Sequence, residues 1–402
     1  MVAAFLAALV APRRAQAEHC HECHQKLTGK PGEKARELAG SVHEVIGCAG
    51  CHSGDRDDPT VGAHATALGF TARPDRQRIS ELCGGCHGDA RFVRRYNASL
   101  PVDQLVLYAS SGHGAAVAKG SADAPTCTTC HGTHDITRTD DPASKVHSVR
   151  VADMCGECHA KPGASHADDP PRGFGDGVHA AALAAGVPNA PTCTSCHGGH
   201  GVLAATTAAL AQVCGRCHIE ERRKLERSPH ARPFRDRGFG ECTPCHGSHR
   251  IAKPTGLLVG LSADGACGKC HARDPKIRAT TERLESLLSE TEGIARTARE
   301  VLGLTRARGL PTGGLVPIES ELKTAELRLR TSVHTLTESE LAGPRADVDR
   351  LAADLTNRVK GIERVAVIDR RGHYAALGVS GLLFLLLALR TFSRRGAAPR
   401  GS

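Results

Sequence analysis

Apolar residues recur every three or four positions after Ala272, which is the spacing of an apolar stripe along an α-helix. Gly and Pro interrupt this pattern in GLPTGG (residues 309–314) and in AGP (342–344), which predicts that helices end there. Residues 276–372 are therefore expected to form a long antiparallel helical hairpin or bundle of two or three helices. The apolar series are Ile277, Leu284, Leu288, Ile294, Ala298 and Val301; Ile318, Leu322, Ala325, Leu329 and Leu336; and Leu351, Leu355, Ile362 and Val365.

Two functions fit such a helical domain equally well. It can be a spacer or an oligomerisation device, through which the chain would pair with a second copy, or a stalk with no partner. The apolar pattern alone does not choose between them.

A second apolar pattern follows the helical region: Tyr374–Leu389 is a run of 16 residues, YAALGVSGLLFLLLAL, without a charge. With its flanking residues it predicts a transmembrane helix over 373–392, because a spanning helix needs about 17 to 25 residues. Arginines dominate the tail 393–402 and no acidic residue lies beyond Asp369, so the positive-inside rule places this tail in the cytoplasm. A core helix of a soluble protein is the alternative.

The N-terminal end carries a shorter apolar run, VAAFLAALVA (residues 2–11), followed by Ala15-Gln16-Ala17. This arrangement is typical of a secretory signal peptide over residues 1–17. No Lys or Arg precedes the run, so we expect the true start to lie upstream; a buried apolar helix is the alternative. Export and the C-terminal anchor together predict a single-pass protein on the periplasmic side of the cytoplasmic membrane.

Between the two ends the cysteines dominate. All 18 fall into nine C-x-x-C pairs, and histidine follows every pair directly. The nine motifs are CHECH (Cys20, Cys23, His24), CAGCH (Cys48, Cys51, His52), CGGCH (Cys83, Cys86, His87), CTTCH (Cys127, Cys130, His131), CGECH (Cys155, Cys158, His159), CTSCH (Cys193, Cys196, His197), CGRCH (Cys214, Cys217, His218), CTPCH (Cys242, Cys245, His246) and CGKCH (Cys267, Cys270, His271).

C-x-x-C-H is the attachment signature of c-type haem. Two thiols at this spacing can add to the two vinyl groups of one porphyrin, and the next residue offers its imidazole as the proximal ligand of the iron. Zinc ribbons use two C-x-x-C pairs per metal, which leaves one of nine pairs over, and disulfides leave the nine histidines unexplained. The sequence therefore predicts nine covalently attached haems c.

Composition bears on the fold of this region. Eleven aromatic residues (eight Phe, three Tyr, no Trp) are too few for an ordinary core in 402 residues, so the macrocycles themselves are expected to fill the interior. The predicted class is mainly α with much coil. A haem-packed domain over 18–275, made of short helices and loops, precedes the helical domain.

The motifs form repeated modules. HGAAVAKGSADAPTCTTCHGTH (113–134), HAAALAAGVPNAPTCTSCHGGH (179–200) and HARPFRDRGFGECTPCHGSH (230–249) each contain an upstream histidine and C-x-x-C-H-G-x-H, and a C-G-x-C-H motif follows each of them. His43, CAGCH, His64 and CGGCH resemble a fourth, degenerate copy. CHECH stands alone in front.

Histidines outside the motifs are candidate distal ligands. His131 and His134 are three residues apart, which in a helical turn places them on one side of the backbone, so His134 is expected to bind the iron of a neighbouring haem. Ten histidines are available for nine distal positions. His147 and His166 either compete for the first haem or remain free as surface histidines, and of the two only His147 is counted among the expected ligands. The candidates are His43, His64, His113, His134, His147, His166, His179, His200, His230 and His249.

Bis-histidine ligation fills both axial positions of the iron, which suits electron transfer better than catalysis. The formal net charge of +9 changes once cofactors are counted, because each haem adds two propionates. The haem-bearing region should therefore be acidic, which argues against nucleic acid as a partner.

Residues 20–271 resemble the multihaem c-type cytochromes with doubled C-x-x-C-H motifs, related to the cytochrome c3 and c7 group. The resemblance implies electron transfer in anaerobic respiration, from a quinol-oxidising membrane complex to other cytochromes, a terminal reductase or an extracellular acceptor. The alternative is a multihaem oxidoreductase that reduces a nitrogen or sulfur oxyanion at one open-site haem. Such relatives use a Lys proximal ligand or a cross-linked Tyr, whereas all nine motifs here end in His. No catalytic residue is assigned.

Overall fold

The structure is a computed structural model that describes residues 19–161, 170–202, 212–262 and 265–395. The predicted signal peptide (1–17) and most of the basic tail lie outside these residues. Within them all regular structure is helical and no β-strand occurs, which confirms the mainly α class. The predicted domain limits stay predictions.

The chain divides into two compact units. The first contains Met1–Cys214 and His246–Lys253, and the second contains Gly215–Cys245 and Pro254–Ser402. Each unit is described here by itself.

Upstream of residue 275 the helices are short, as the sequence predicts for a polypeptide with few large apolar side chains. Most of them are one to three turns long and end at or near a C-x-x-C-H histidine. The α-helices are α1 (His19–His24), α2 (Lys30–Leu38), α3 (Ala49–His52), α4 (Arg76–His87), α5 (Ala90–Val93), α6 (Gln104–Ser110), α7 (Gly112–Ala118), α8 (Cys127–His131), α9 (Val151–His159), α10 (Pro170–Gly175), α11 (Val178–Ala184), α12 (Cys193–His197), α13 (Ile219–Leu225), α14 (Ala231–Asp236), α15 (Thr243–His246) and α16 (Gly268–His271).

Short 3₁₀ helices connect several of these elements. They are Glu44–Ile46, Val61–His64, Thr66–Leu68, Cys214–Arg216, Gly256–Val259, Gly313–Leu315 and Val333–Thr335.

Three long helices follow: α17 (Pro275–Ala307), α18 (Val316–Ser332) and α19 (Glu338–Arg395). Asp274 caps the first of them, because its carboxylate accepts hydrogen bonds from the backbone N–H groups of Lys276 and Ile277. The predicted long helices are thus present.

Ion pairs reveal the direction in which these helices run. Arg306 contacts Glu319 at 3.1 Å and Arg299 contacts Glu326. The later residue of α17 therefore pairs with the earlier residue of α18, so the two helices are antiparallel. Arg308 pairs with Glu363 and Glu290 with Arg345, in each case 55 residues further along, so α19 is parallel to α17. The three helices form an up-down-up bundle.

The core of the bundle contains most of the predicted apolar stripe, although Ile294 and Val365 are exposed. Its side chains lie at positions three, four or seven apart along each helix, as the amphipathic pattern requires. The largest of the fully buried apolar side chains are Leu302, Leu322, Leu341, Val348, Leu355 and Val359.

One predicted helix end is confirmed and the other is wrong. α17 ends at Ala307, directly before GLPTGG, and Gly309 adopts φ 74°. AGP does not end a helix, because Pro344 lies inside α19. The turn lies earlier, where Leu336 adopts φ 56°. Pro344 is the seventh residue of α19 and lacks the N–H for one intrahelical hydrogen bond, while Leu341 and Val348 on either side of it are fully buried and hold the helix in the bundle.

The C-terminal part of α19 is apolar and exposed. In the described residues one helix is long and apolar enough to cross a membrane, with none of its most apolar window buried. The large side chains of Leu383, Phe384 and Leu386 are more than half exposed. This confirms a long apolar C-terminal helix, while the side on which the protein lies stays a prediction.

Candidate functional site: the histidine pairs

Two of the C-x-x-C-H-G-x-H motifs begin their own short helix. In α8 the N–H of Thr126 donates to Thr129 Oγ1 at 3.0 Å, and in α12 the N–H of Thr192 donates to Ser195 Oγ at 3.0 Å. Both belong to capping boxes, which satisfy N–H groups that the first turn leaves unpaired. The Thr before the first Cys and the Thr or Ser before the second therefore fix where the motif's helix starts.

The glycine after the motif histidine ends that helix. Gly132, Gly198 and Gly247 adopt φ values of 87°, 85° and 75°, in the left-handed region that glycine enters without steric cost. His131 and His134 therefore do not share a helical turn, which corrects the premise of the sequence argument. The chain turns at Gly132, and His134 lies beside a different ring from the one that faces His131.

Replacing Gly132 with alanine is expected to destabilise this turn by about 1–2 kcal/mol, since an L-residue pays that cost in the left-handed region. An added Cβ would also lie 2.7 Å from Asp135 Oδ1. Thermal unfolding of the purified protein measures the effect. Gly112→Ala is the matched control, because an added Cβ there meets nothing within 4 Å. Equal melting temperatures for the two variants would contradict the assigned role of Gly132.

C-G-x-C-H motifs are built differently. CGGCH and CGECH lie at the C-terminal ends of α4 and α9. In CGGCH and CGKCH the glycine after the first Cys packs against a neighbouring element. A Cβ on Gly84 would lie 2.3 Å from Leu105 Cδ2, and one on Gly268 would lie 2.6 Å from the carbonyl oxygen of Leu261. Glycine is needed at these positions because no space is left for a side chain.

Seven of the nine motif histidines have the ring of a histidine from outside the motifs next to them. Each pair joins one predicted proximal ligand to one predicted distal ligand, and the ring centroids are 5.7 to 6.1 Å apart. The pairs are His24–His64, His87–His43, His52–His134, His159–His113, His131–His200, His197–His249 and His271–His230.

The centroid distances vary little from pair to pair, but the ring planes meet at angles from 7° to 89°. Direct ring packing selects particular angles together with distances. Two imidazoles on opposite sides of one metal ion behave differently, because each metal–nitrogen bond of about 2.0 Å fixes the distance while rotation about the bond stays free. With each nitrogen roughly 1 Å from its ring centroid, that arrangement separates the centroids by about 6 Å. The pairs match it.

A simple rule describes the pairing. The histidine of C-H-G-x-H lies beside the first motif of the preceding module, as His134 beside His52 and His200 beside His131 show. The upstream histidine lies beside the C-G-x-C-H histidine of its own module, as in His113 beside His159. Such a rule was not apparent from the sequence, which placed both distal candidates of a module on that module's own haems.

The first motif differs from expectation as well. His24 was assigned to His147 or His166, whereas the ring beside it is that of His64, at 5.7 Å. His147 instead accepts a 3.4 Å hydrogen bond at Nδ1 from the N–H of Val149, and His166 lies outside the described residues. His64 holds its orientation through a contact of 3.3 Å between Nδ1 and the carbonyl oxygen of Val61.

Three further predicted ligands lie at or near the ends of short helices. His179 lies in the first turn of α11, His218 precedes α13 with Nδ1 at 3.9 Å from Glu221, and His246 ends α15. Their predicted roles stay predictions.

Burial favours neutral imidazoles at these pairs. It lowers the pKa of eight of the fourteen paired histidines because the charged form loses water, and neighbouring histidines lower the pKa of seven of these further. A neutral imidazole is the form that binds a metal ion. The histidines with lowered pKa are His24, His43, His87, His113, His131, His134, His200 and His230.

Hydrogen bonds orient some of the rings. His52 Nδ1 lies 2.8 Å from the carbonyl oxygen of Thr71, which makes Nδ1 the donor and leaves Nε2 with its lone pair for a ligand bond. His134 Nδ1 is buried without a hydrogen-bond partner.

Phe70 lies between two pairs and was not singled out in the sequence. Its ring is 4.8 Å from that of His64, edge to face, and 6.5 Å from that of His52. The sequence around Phe70 contains no motif that indicates this position, and only the scarcity of aromatic residues in the chain could have drawn attention to it.

Among the described residues no group of three or more His, Cys, Asp or Glu side chains is arranged to hold a metal ion. A tetrahedral zinc site draws three or four ligands from the protein. The histidine pairs supply two side chains each, which is the number of axial positions on a haem iron.

No protein-family profile, no curated protein and no solved structure matches the chain. The histidine pairs and the motif spacing therefore carry the functional argument alone.

Proposed function

We propose that the chain is a membrane-anchored multihaem cytochrome c that transfers electrons through bis-histidine haems. The seven histidine pairs carry this proposal, because each joins a C-x-x-C-H histidine to a second imidazole across a gap that accommodates one metal atom.

The residues present fit a haem c at each of these sites. The two cysteines of a motif would bind the porphyrin covalently, the motif histidine would bind the iron from one face, and the paired histidine from the other. When bound, the haem supplies an iron that cycles between the ferric and ferrous states. C-x-x-C alone would equally suit a zinc ribbon, but a zinc ribbon gives no reason for a second imidazole opposite seven of the motif histidines, whereas a six-coordinate haem iron does.

The chain's own residues determine what such a site can do. Two imidazoles fill both axial positions, so a substrate has no position at these seven sites. Burial favours the neutral form of eight of these imidazoles, and the same two ligands would serve both oxidation states, so little rearrangement would accompany electron transfer. These features favour an electron carrier over an oxidoreductase.

The exposed apolar end of α19 supports a membrane anchor. With the arginines that follow it, the positive-inside rule places the haem-binding part in the periplasm and the C-terminus in the cytoplasm. A quinol-oxidising membrane complex is then a suitable donor. Other cytochromes, a terminal reductase or an extracellular acceptor would receive the electrons.

Spin state distinguishes this function from catalysis. The ferric protein is expected to give only low-spin EPR signals, and the ferrous protein is expected not to bind carbon monoxide, because imidazoles occupy the axial positions. A high-spin ferric signal together with carbon monoxide binding would favour the oxidoreductase with one open-site haem.

A further inference from the structure

Cysteines of successive motifs lie side by side. The thiols of Cys83 and Cys127 share a hydrogen bond, and so do those of Cys155 and Cys193. In both pairs the first cysteine of a C-G-x-C-H motif contacts the first cysteine of the next module. The third motif therefore adjoins the fourth, and the fifth adjoins the sixth.

Weaker contacts join the second motif to the third and the fourth motif to the fifth. Cys51 of the second motif lies close enough to Cys83 of the third for their charges to interact, and Cys130 of the fourth lies close enough to Cys158 of the fifth. Each of these contacts connects consecutive motifs.

The first two sites are joined through rings. His24 interacts with His52 as well as with its own partner His64, and Phe70 lies against His64 with His52 nearby. The contacts thus continue from the first motif to the sixth without a gap.

A second feature links alternate sites. His131 belongs to the fourth site, while His134, three residues later, lies beside His52 of the second site. Three residues span at most about 11 Å even when extended. His197 and His200 connect the sixth site to the fourth in the same way.

We infer that the first six motifs hold their haems in one row that follows the order of the chain, with each C-H-G-x-H segment tying together sites two places apart. This inference rests on the proposed function. Each transfer along the row oxidises the iron at one site and reduces the iron at the next, with no bond made or broken. Electrons that enter at the first site then reach the sixth by way of the second and fourth sites, with the third and fifth sites beside that path.

The second unit contains the same kind of contact. Cys245 of the eighth motif lies close to Cys267 and Cys270 of the ninth. Cys267 also shares a hydrogen bond with Thr281 on α17, so the ninth site packs against the helical bundle.

A photosensitiser attached beside the first site tests the row. Lys26 is exposed and lies two residues after His24, and in the holoprotein the native cysteines are thioethers, so Lys26→Cys provides a single thiol for a ruthenium complex. After photoreduction by excess light, the absorbance change of the fast phase is proportional to the number of haems that receive electrons through the first site. Removing the second haem (Cys48→Ala with Cys51→Ala) should leave one, because in the row the first site adjoins only the second. Removing the sixth (Cys193→Ala with Cys196→Ala) should leave five. Equal amplitudes in the two variants, each shown to carry eight haems, would overturn the row.

A second measurement uses variants in which all cysteines, and so all covalent haem attachments, are retained. It tests the row even if the cysteine variants do not fold. His43→Ala and His113→Ala each remove a distal ligand, from the third and the fifth site, and create one high-spin iron. A nitroxide on Lys26→Cys should relax faster with the iron at the third site than with the iron at the fifth, because in a row the third site is nearer. Equal relaxation or the reverse order would overturn the row. Absence of bound haem from the wild-type protein would instead refute the proposed function.

Discussion

Replacing His134 with alanine is expected to change the haem bound to Cys48 and Cys51 from low spin to high spin, and to leave the haem of its own motif unchanged. The reason is that the ring of His134 lies 5.9 Å from that of His52, whereas His131 has His200 beside it at the same distance. EPR of the ferric protein should show one high-spin iron per chain.

The site of the change can be assigned by combining substitutions. In a protein that already lacks the second haem (Cys48→Ala with Cys51→Ala), His134→Ala should add no high-spin signal. His147→Ala is the matched control and should leave the wild-type spectrum unchanged, because His147 has no paired ring among the described residues. A high-spin signal that persists without the second haem would show that His134 binds elsewhere.

Ending the chain after Arg371 is expected to move the protein from the membrane fraction to the soluble periplasmic fraction almost completely. The truncation removes the exposed apolar segment, and the buried core of the bundle, whose last fully buried side chain is Val359, stays intact. A run of about 20 apolar residues is what holds a single-pass protein in the bilayer. Fractionation followed by haem staining measures the result.

Ending the chain after Arg395 is the matched control, because it removes only residues 396–402 and keeps the apolar segment. That variant should stay in the membrane pellet after an alkaline wash. If the Arg371 truncation also stayed in the pellet, the anchor would have to lie elsewhere in the chain.

The helical bundle could be predicted because an amphipathic stripe is a local pattern. Leu322 and Leu355 appear in the apolar series and are fully buried in the bundle. The AGP segment misled the prediction because proline disrupts a helix through the N–H it lacks, whereas in α19 the burial of Leu341 and Val348 on either side of Pro344 offsets that loss. The parallel arrangement of α17 and α19, which the ion pair between Arg308 and Glu363 shows, follows from the two short connections that make α18 antiparallel to both.

The candidate site was predictable in its parts but not in its pairing. Cysteines and histidines of the motifs follow from spacing alone, because one haem takes its two thiols and one imidazole from five consecutive residues. The second imidazole can come from any distance along the chain. His64 and His134 were identified as candidates, but their partners His24 and His52 depend on where the chain turns, as at Gly132.

The haem content of the intact protein tests the central claim most directly. Purified protein from an exporting host that attaches haem c should contain nine haems per chain, determined from its haemochrome spectrum against protein mass, and all nine should stay with the polypeptide after denaturation. A content well below nine, or haem that separates on denaturation, would contradict the account.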